Sequence, residues 1–170
     1  MSSKPFDLIV FGATGFTGRQ TVRSLARRSA GRPLRWAVAG RNEERLRAAI
    51  REMVPPAVAQ PGIVVADIGD ADSLQALAAQ TAVLLNLAGP YALTGEAVVQ
   101  ACIAQGTHCL DLTGETFWVR QLIERQFGRR YSDVQVWRIL GSLGWSHQQP
   151  AISARRSSKS RMTREWMQKR

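Results

Sequence analysis

Three glycines at a spacing of three, Gly12, Gly15 and Gly18, alternate with Thr14 and Thr17 in the stretch FDLIVFGATGFTG at residues 6–18. Residues of these types act mainly through the backbone. A glycine at position 15 lets an anionic group approach the main chain. A helix opening just after it presents unpaired N–H groups and a partial positive charge. Thr14 and Thr17 add hydroxyl donors, and Phe16 belongs to the same turn. The chemistry that fits is capture of a pyrophosphate, as in a dinucleotide, at a helix N-terminus. In that reading Gly12 makes the tight turn and Gly18 lets the helix pack close to the sheet. A turn with no ligand is the plainer alternative, and the spacing G-x-x-G-x-x-G departs from the commoner G-x-G-x-x-G. Position favours the ligand, because the glycines follow an apolar run and open a helical pattern.

A second group is Ala39-Gly40-Arg41-Asn42. Dinucleotide-binding domains commonly end their second strand in a carboxylate that takes the ribose hydroxyls. None stands here, and Arg41 offers a bidentate cation suited to a 2′-phosphate. The alternative is a solvated arginine, although the start of a helix does not favour a cation. With Asn42 beside Arg41, these residues favour NADP over NAD. Asp67 is placed to meet the adenine through its side chain or the neighbouring backbone, and Leu87, Ala88, Gly89 and Pro90 give a small, irregular backbone for the nicotinamide half. No residue declares itself catalytic.

These residues need elements to carry them. Asp7–Phe11, Trp36–Ala39, Ile63–Ala66, Ala82–Ala88 and His108–Leu112 read as short apolar strands. Helical patterns fall between them at residues 16–29, at 43–53 with Asn42 as N-cap, from Asp70 or Asp72 through Leu77, and at 96–104. In the first helix Val22, Leu25 and Ala26 share one face, with Arg19, Arg23 and Arg27 opposite. Alternating strands and helices with short connections predict an α/β fold, a Rossmann-type doubly wound parallel sheet of five strands. Ligands in such sheets bind at the carboxyl ends of the strands, where the strand order reverses.

The chain of 170 residues, 45% hydrophobic, can hold one ordinary domain or a small domain with an appendage. No run approaches the roughly 18 apolar residues of a membrane span. The opening MSSKPFDLIVFG lacks a signal-peptide cleavage site, so a cytoplasmic location is expected. Cys102 and Cys109, with His108 and His147, suggest neither a disulfide framework nor a metal site. Both cysteines read as small buried hydrophobes. Charge is uneven. Residues 1–125 hold 13 Lys+Arg and 11 Asp+Glu, a net of +2, whereas residues 126–170 hold 10 and 2, a net of +8.

The motifs FGATGFTG, WAVAGRN, VVADIGDADSL, VLLNLAGPYALTGEAVVQAC and LDLTGE, in this order and spacing, resemble saccharopine dehydrogenase-like oxidoreductases. That group includes the trans-acting enoyl reductases of lipid biosynthesis. The resemblance covers about residues 5 to 120 and implies a Rossmann domain binding NADP or NAD. It also implies a further strand with a Cys-Gly-Phe-Asp-Ser type motif and a large substrate domain, neither of which is found in the sequence. Asp111, Gly114 and Glu115 match the family's loop at the mouth of the cofactor cleft.

Beyond Trp118 the residues read differently. A helix over 119–127, with Val119, Leu122, Ile123 and Phe127 on one face, ends at Gly128. Ser132 caps a second helix over 133–143, lined by Val136, Leu140 and Leu143. Helix, short glycine-containing turn and helix is the pattern of a helix-turn-helix. Ser132, Gln135 and Arg138 would then face DNA bases, with Arg129 and Arg130 at the phosphates. The segment resembles the winged helix of mariner-like insertion-sequence transposases, which implies weak duplex-DNA binding. The expected organisation is a cofactor domain over 1–120, a helix-turn-helix-like segment over 121–150 and a disordered basic tail over 151–170. The leading expectation is an NADP-binding oxidoreductase module cut short by a mobile element, not catalytic alone and prone to self-association through an uncovered sheet edge. The alternative is a DNA-binding protein acting through the tail.

Overall fold

The structure, a computed structural model, describes residues 4–31, 34–112 and 116–142. In chain order its elements are β1 (Phe6–Phe11), α1 (Phe16–Arg28), β2 (Trp36–Gly40), α2 (Glu43–Met53), β3 (Gly62–Val65), α3 (Ala71–Ala79), β4 (Thr81–Asn86), α4 (Tyr91–Ala104), β5 (His108–Asp111), α5 (Thr116–Phe127) and α6 (Asp133–Ser142). The chain divides into two compact units, Met1–Arg130 and Tyr131–Arg170, so α5 belongs with the sheet and α6 does not. The expected boundary fell ten residues earlier. No helix among the described residues is long and apolar enough to cross a membrane.

The sheet is the expected doubly wound one. Its five strands run parallel in the order β3-β2-β1-β4-β5. From β1 the chain steps outward through β2 to β3, returns to lay β4 against the other side of β1, and steps outward again to β5. The winding therefore reverses between β1 and β4.

Side-chain alternation explains why β1 and β2 read as unbroken apolar runs. Ile9 and Phe11 face one side with Ala37 and Ala39, and there Leu74 and Leu77 of α3 meet Val98 and Cys102 of α4. Val10 faces the other side with Trp36 and Val38, where Val22 and Ala26 of α1 meet Leu46, Ile50 and Met53 of α2. Both faces are covered, so no position on the central strands favours a polar residue. Each large side chain buried this way contributes about 1.5–3 kcal/mol. Lys4 ties the start of the domain to the far side of the sheet, its ammonium donating to the Gln105 carbonyl at 2.9 Å and to the Thr107 hydroxyl. Cys102 and Cys109 meet inside the first face. The hydrogen bond to Cys102 and burial push the Cys109 thiol well above its ordinary pKa, so it stays a neutral core group.

Several boundaries differ from the expected ones, each for a local reason. β4 stops at Asn86, two residues early, because the Asn86 side chain accepts the Ala88 N–H at 3.0 Å and turns the chain. α4 begins at Tyr91 and runs through Gly95, which had looked like the end of a loop. A methyl group at Gly95 would stand 2.8 Å from the Trp118 ring, so this glycine is the seat on which α5 rests. Trp118 is buried there, while Phe127, expected on the buried face, is 74% exposed. Arg125 of α5 pairs with Glu96 of α4 at the same contact. At the sheet edge, Leu110 of β5 and the following Leu112 are about half exposed.

Gly18 gives the sharpest test of the packing. An added Cβ would lie 2.2 Å from the Gly12 carbonyl oxygen and 2.7 Å from the Ala13 Cα. Helix propensity favours alanine over glycine by about 1 kcal/mol, but overlap with fixed backbone outweighs it. Gly18→Ala is expected to lower unfolding free energy by about 1–2 kcal/mol net, measured by chemical denaturation. Gly15→Ala, whose Cβ meets only the Gly12 oxygen at 3.4 Å, is expected to change it by less than about 0.5 kcal/mol.

Candidate functional site

The turn from β1 into α1 lies against the end of β4. Gly12 takes a φ of +80°, and a Cβ there would meet the Leu87 and Ala88 backbones at 2.8 Å. Glycine is required on both counts. Gly15 follows as the N-cap of α1 with ordinary dihedrals, φ −72° and ψ 169°, that any residue adopts. Nothing in the protein crowds it, and yet it faces a cavity.

That cavity, about 350 Å³, opens at the carboxyl ends of the strands. Phe11, Gly12, Thr14 and Gly15 line it from β1 and its turn, and Gly40 and Arg41 from the end of β2. Ile68 closes it beyond β3, and Leu87, Ala88, Gly89 and Thr94 supply the wall after β4. It therefore sits over the β1/β4 reversal, where parallel sheets bind their ligands. A second, more polar cavity of about 340 Å³ adjoins it, lined by Thr14, Gly40, Arg41, Asn42 and Arg45.

The helix ends around the cavity differ. Asn42 caps α2 by accepting the Arg45 N–H at 2.8 Å, and Glu43 and Glu44 occupy that helix's first turn. Asp70 caps α3 by accepting from Asp72 and Ser73. α1 has neither a side-chain cap nor an acidic residue in its first turn, and α4 likewise has neither. These two helices follow β1 and β4, the strands at the reversal. Their first N–H groups and positive dipole ends remain for an anion. The fit to a dinucleotide is thus local and specific: an uncapped helix, a glycine that internal packing does not demand, and a wall of small residues.

The wall after β4 is held by hydrogen bonds. Buried Asn86 accepts from Ala88, Tyr91 donates its hydroxyl to the Asn86 carbonyl at 3.2 Å, and Thr94 donates to the Pro90 carbonyl at 2.9 Å. The peptide between Gly89 and Pro90 is cis.

Of the residues singled out in the sequence, Gly12, Thr14, Gly15, Arg41, Leu87, Ala88 and Gly89 come together in the main cavity, and Asn42 lines the adjoining one. Gly18 is buried beneath the turn, while Phe16, Thr17 and Pro90 are exposed outside the lining. Asp67 is also outside it. Its carboxylate accepts the Gly69 N–H at 2.9 Å, and the next residue, Ile68, forms the wall. A polar residue ending a strand drew attention to position 67, whereas the side chain pointing inward is the apolar one after it. Arg45, Asn86 and Thr94 were not anticipated. Arg45 could have been found as a cation one helical turn beyond Arg41. Asp111 ends β5, and Gly114 and Glu115 lie outside the described residues.

Three of the five residues expected to touch DNA have partners within the protein. Arg130 pairs with Glu124 at 2.6 Å. Ser132 and Gln135 close a capping box on α6, with the Ser132 N–H donating to Gln135 Oε1 at 2.8 Å and the Gln135 N–H donating to Ser132 Oγ at 3.3 Å. Arg129 and Arg138 are exposed. Leu143 and the basic run beyond it lie outside the described residues.

Comparison with known proteins bears on the same residues. The family described as saccharopine dehydrogenase NADP binding domain matches residues 8–153. The human saccharopine dehydrogenase-like oxidoreductase is 39% identical over 153 residues, which cover 84% of this chain and 35% of that protein. The trans-acting enoyl reductase of Mycobacterium tuberculosis is 40% identical over 123 residues, covering 72% of this chain and 29% of that protein. This chain thus spans about a third of the length of these relatives. Among solved structures, apo saccharopine dehydrogenase (L-Glu forming) from Saccharomyces cerevisiae shares the fold, with a TM-score of 0.56 at 20% identity over 69% of this chain and 24% of that one. The family match passes Trp118, where the motifs of the resemblance thin out, and takes in α5 and α6.

The position of Ile68 in place of Asp67 can be tested by titration with a nicotinamide dinucleotide, followed by fluorescence. Ile68→Ala is expected to weaken binding about tenfold through lost apolar contact. Asp67→Ala, which removes only a turn hydrogen bond, is expected to weaken it less than about threefold. A larger effect from Asp67 than from Ile68 would return the adenine contact to the carboxylate.

Proposed function

Because this chain belongs to the saccharopine dehydrogenase NADP binding domain family, we propose that its cavity at the β1/β4 reversal holds NADP(H) as the cofactor half of an oxidoreductase. The pyrophosphate lies over Gly15 and the first turn of α1, with Thr14 and Thr17 as hydroxyl donors. The adenosine end reaches Ile68 and Arg41, and the nicotinamide half follows Leu87, Ala88 and Gly89. One observation carries the reading. Gly15 lines the cavity at an uncapped helix end where neither its dihedrals nor its neighbours call for glycine. A bound anion is the partner that makes the missing Cβ useful.

Bound NADPH would supply a hydride, and the protein's part is to bind and orient it. Among the described residues, the main cavity's lining holds one charged side chain, Arg41, and no carboxylate, imidazole or thiol. Groups that hold a substrate or move its proton therefore lie outside this lining, and we assign the described residues to cofactor binding without turnover. Reduction of an enoyl group is the reaction class favoured by the identity to the trans-acting enoyl reductase. A second reading, weak binding of duplex DNA by the tail, is supported by the net +8 of residues 126–170.

Equilibrium titration tests the first reading. NADPH is expected to bind more tightly than NADH, and Arg41→Ala to remove most of the difference, since a charge-assisted contact contributes roughly 1.5–3 kcal/mol. Gly15→Val is expected to abolish binding of both while the melting temperature holds. Equal affinities for the two dinucleotides in the native chain would remove the Arg41 assignment. For the second reading, deletion of residues 126–170 is expected to eliminate salt-sensitive DNA binding in a gel-shift assay, and unchanged binding would end it.

A further inference from the structure

We propose that the polar cavity beside the cofactor cleft is a two-cation phosphate subsite, with Arg45 as a second specificity-determining residue beside Arg41. This inference rests on the NADP reading above and concerns the same ligand. Its target is the phosphomonoester on the adenosine ribose.

The cavity shares Thr14, Gly40 and Arg41 with the main one, so a single ligand can extend from one into the other. Beyond those three residues its lining is Asn42 and Arg45, with no carboxylate. Arg41 leaves the end of β2, and Arg45 follows four residues later, about one turn of α2, on the same side as the cavity. The Asn42 cap takes the backbone N–H of Arg45 and leaves the guanidinium outside the cap.

Other arginines of α1 and α2 are engaged elsewhere: Arg19 with Glu52, and Arg47 with Glu43. Arg41 and Arg45 make no ion pair among the described residues. In α2, Glu43 is committed to Arg47 and Glu52 to Arg19, and the neighbouring Glu44 is not part of the cavity lining. Two guanidinium groups therefore line one concave, polar space with no counter-charge in its wall. A phosphomonoester carries about −1.5 to −2 charges near neutral pH. One arginine leaves part of that charge unmatched, and two match it. A ribose hydroxyl, by contrast, gains nothing from a second cation, so Arg45 discriminates between cofactors without strengthening both.

The test uses the 170-residue chain, NADPH and NADH as ligands, and 2′,5′-ADP against 5′-ADP as fragments. Arg45→Ala is expected to weaken NADPH and 2′,5′-ADP about tenfold and to leave NADH and 5′-ADP within about twofold. The double variant with Arg41→Ala is expected to abolish the preference, and raising salt to narrow it in the native chain, since both groups are exposed. Arg45→Ala keeps the capped N–H and introduces the best helix former, so its melting temperature should match the native one. Should it fail to fold, Arg45→Gln supplies the same comparison with the side-chain stem retained. A native preference for NADPH that Arg41→Ala removes and Arg45→Ala leaves intact would overturn this inference and spare the NADP reading. Equal loss of NADPH and NADH in Arg45→Ala would also overturn it. A native chain with no preference would overturn both.

Discussion

Contact between three stretches of bare backbone organises this domain. Gly18 of α1 rests on the Gly12 carbonyl, and Gly12 in turn rests on the Leu87–Ala88 peptide, each too close for a Cβ. The first contact fixes how near α1 approaches the sheet. The second fixes how the end of β4 lies beside the end of β1. Everything the cleft needs follows from these two distances. The helix N-terminus is brought over the strand ends, the wall after β4 is brought opposite it, and the space between them is left open at Gly15. Interiors are packed too densely to absorb an extra carbon at such a place.

The glycines consequently divide by cause. Gly12 and Gly18 serve the fold, whereas internal packing makes no such demand at Gly15, which lines the cavity. Gly95 serves neither the turn nor the cleft, and seats the Trp118 ring between α4 and α5. Electrostatics divides the helices in a parallel way. α2 and α3 satisfy their own first turns with Asn42 and Asp70, whereas α1 and α4 do not. The uncapped helices are the two that flank the reversal of the sheet. A helix end left unsatisfied costs stability by itself, which a bound anion offsets.

The fold was legible because its signals were local and repeated. Apolar runs in β1 and β2, the Asn42 and Asp70 caps, and glycines at fixed offsets all point to one winding, and the sheet order agrees. The cleft was legible where backbone mattered and less so where side-chain direction did. Asp67 and Ile68 differ by one position, and at a strand end one position decides which side chain faces the ligand. Arg45 escaped notice because its place in the cavity lining appears only once α2 is set against the end of β2, and Asn86 because it reads as one more residue of an apolar strand. The tail is less legible, also for a physical reason. Two short amphipathic helices with a glycine between them suit a helix-turn-helix, but they also suit a helix packed on α4 followed by another compact unit. The family match through residue 153 favours the family over a foreign origin for that stretch.

The meeting of Gly12 with Leu87 joins positions far apart in the chain, with three strands and three helices threaded between them. The cleft is consequently absent until β4 has closed against β1, so it forms late and only in the assembled sheet, a topology that folds slowly for its size. An unfolded or half-folded chain has no site at all. The dinucleotide is then a ligand of the native state alone, and its concentration adds to the free energy that separates the folded from the unfolded chain. At a hundred times its dissociation constant such a ligand adds about 2.7 kcal/mol to the unfolding free energy. That is a large share of the roughly 5–15 kcal/mol by which domains are stable. Cofactor concentration thereby enters the stability of this domain as well as its occupancy.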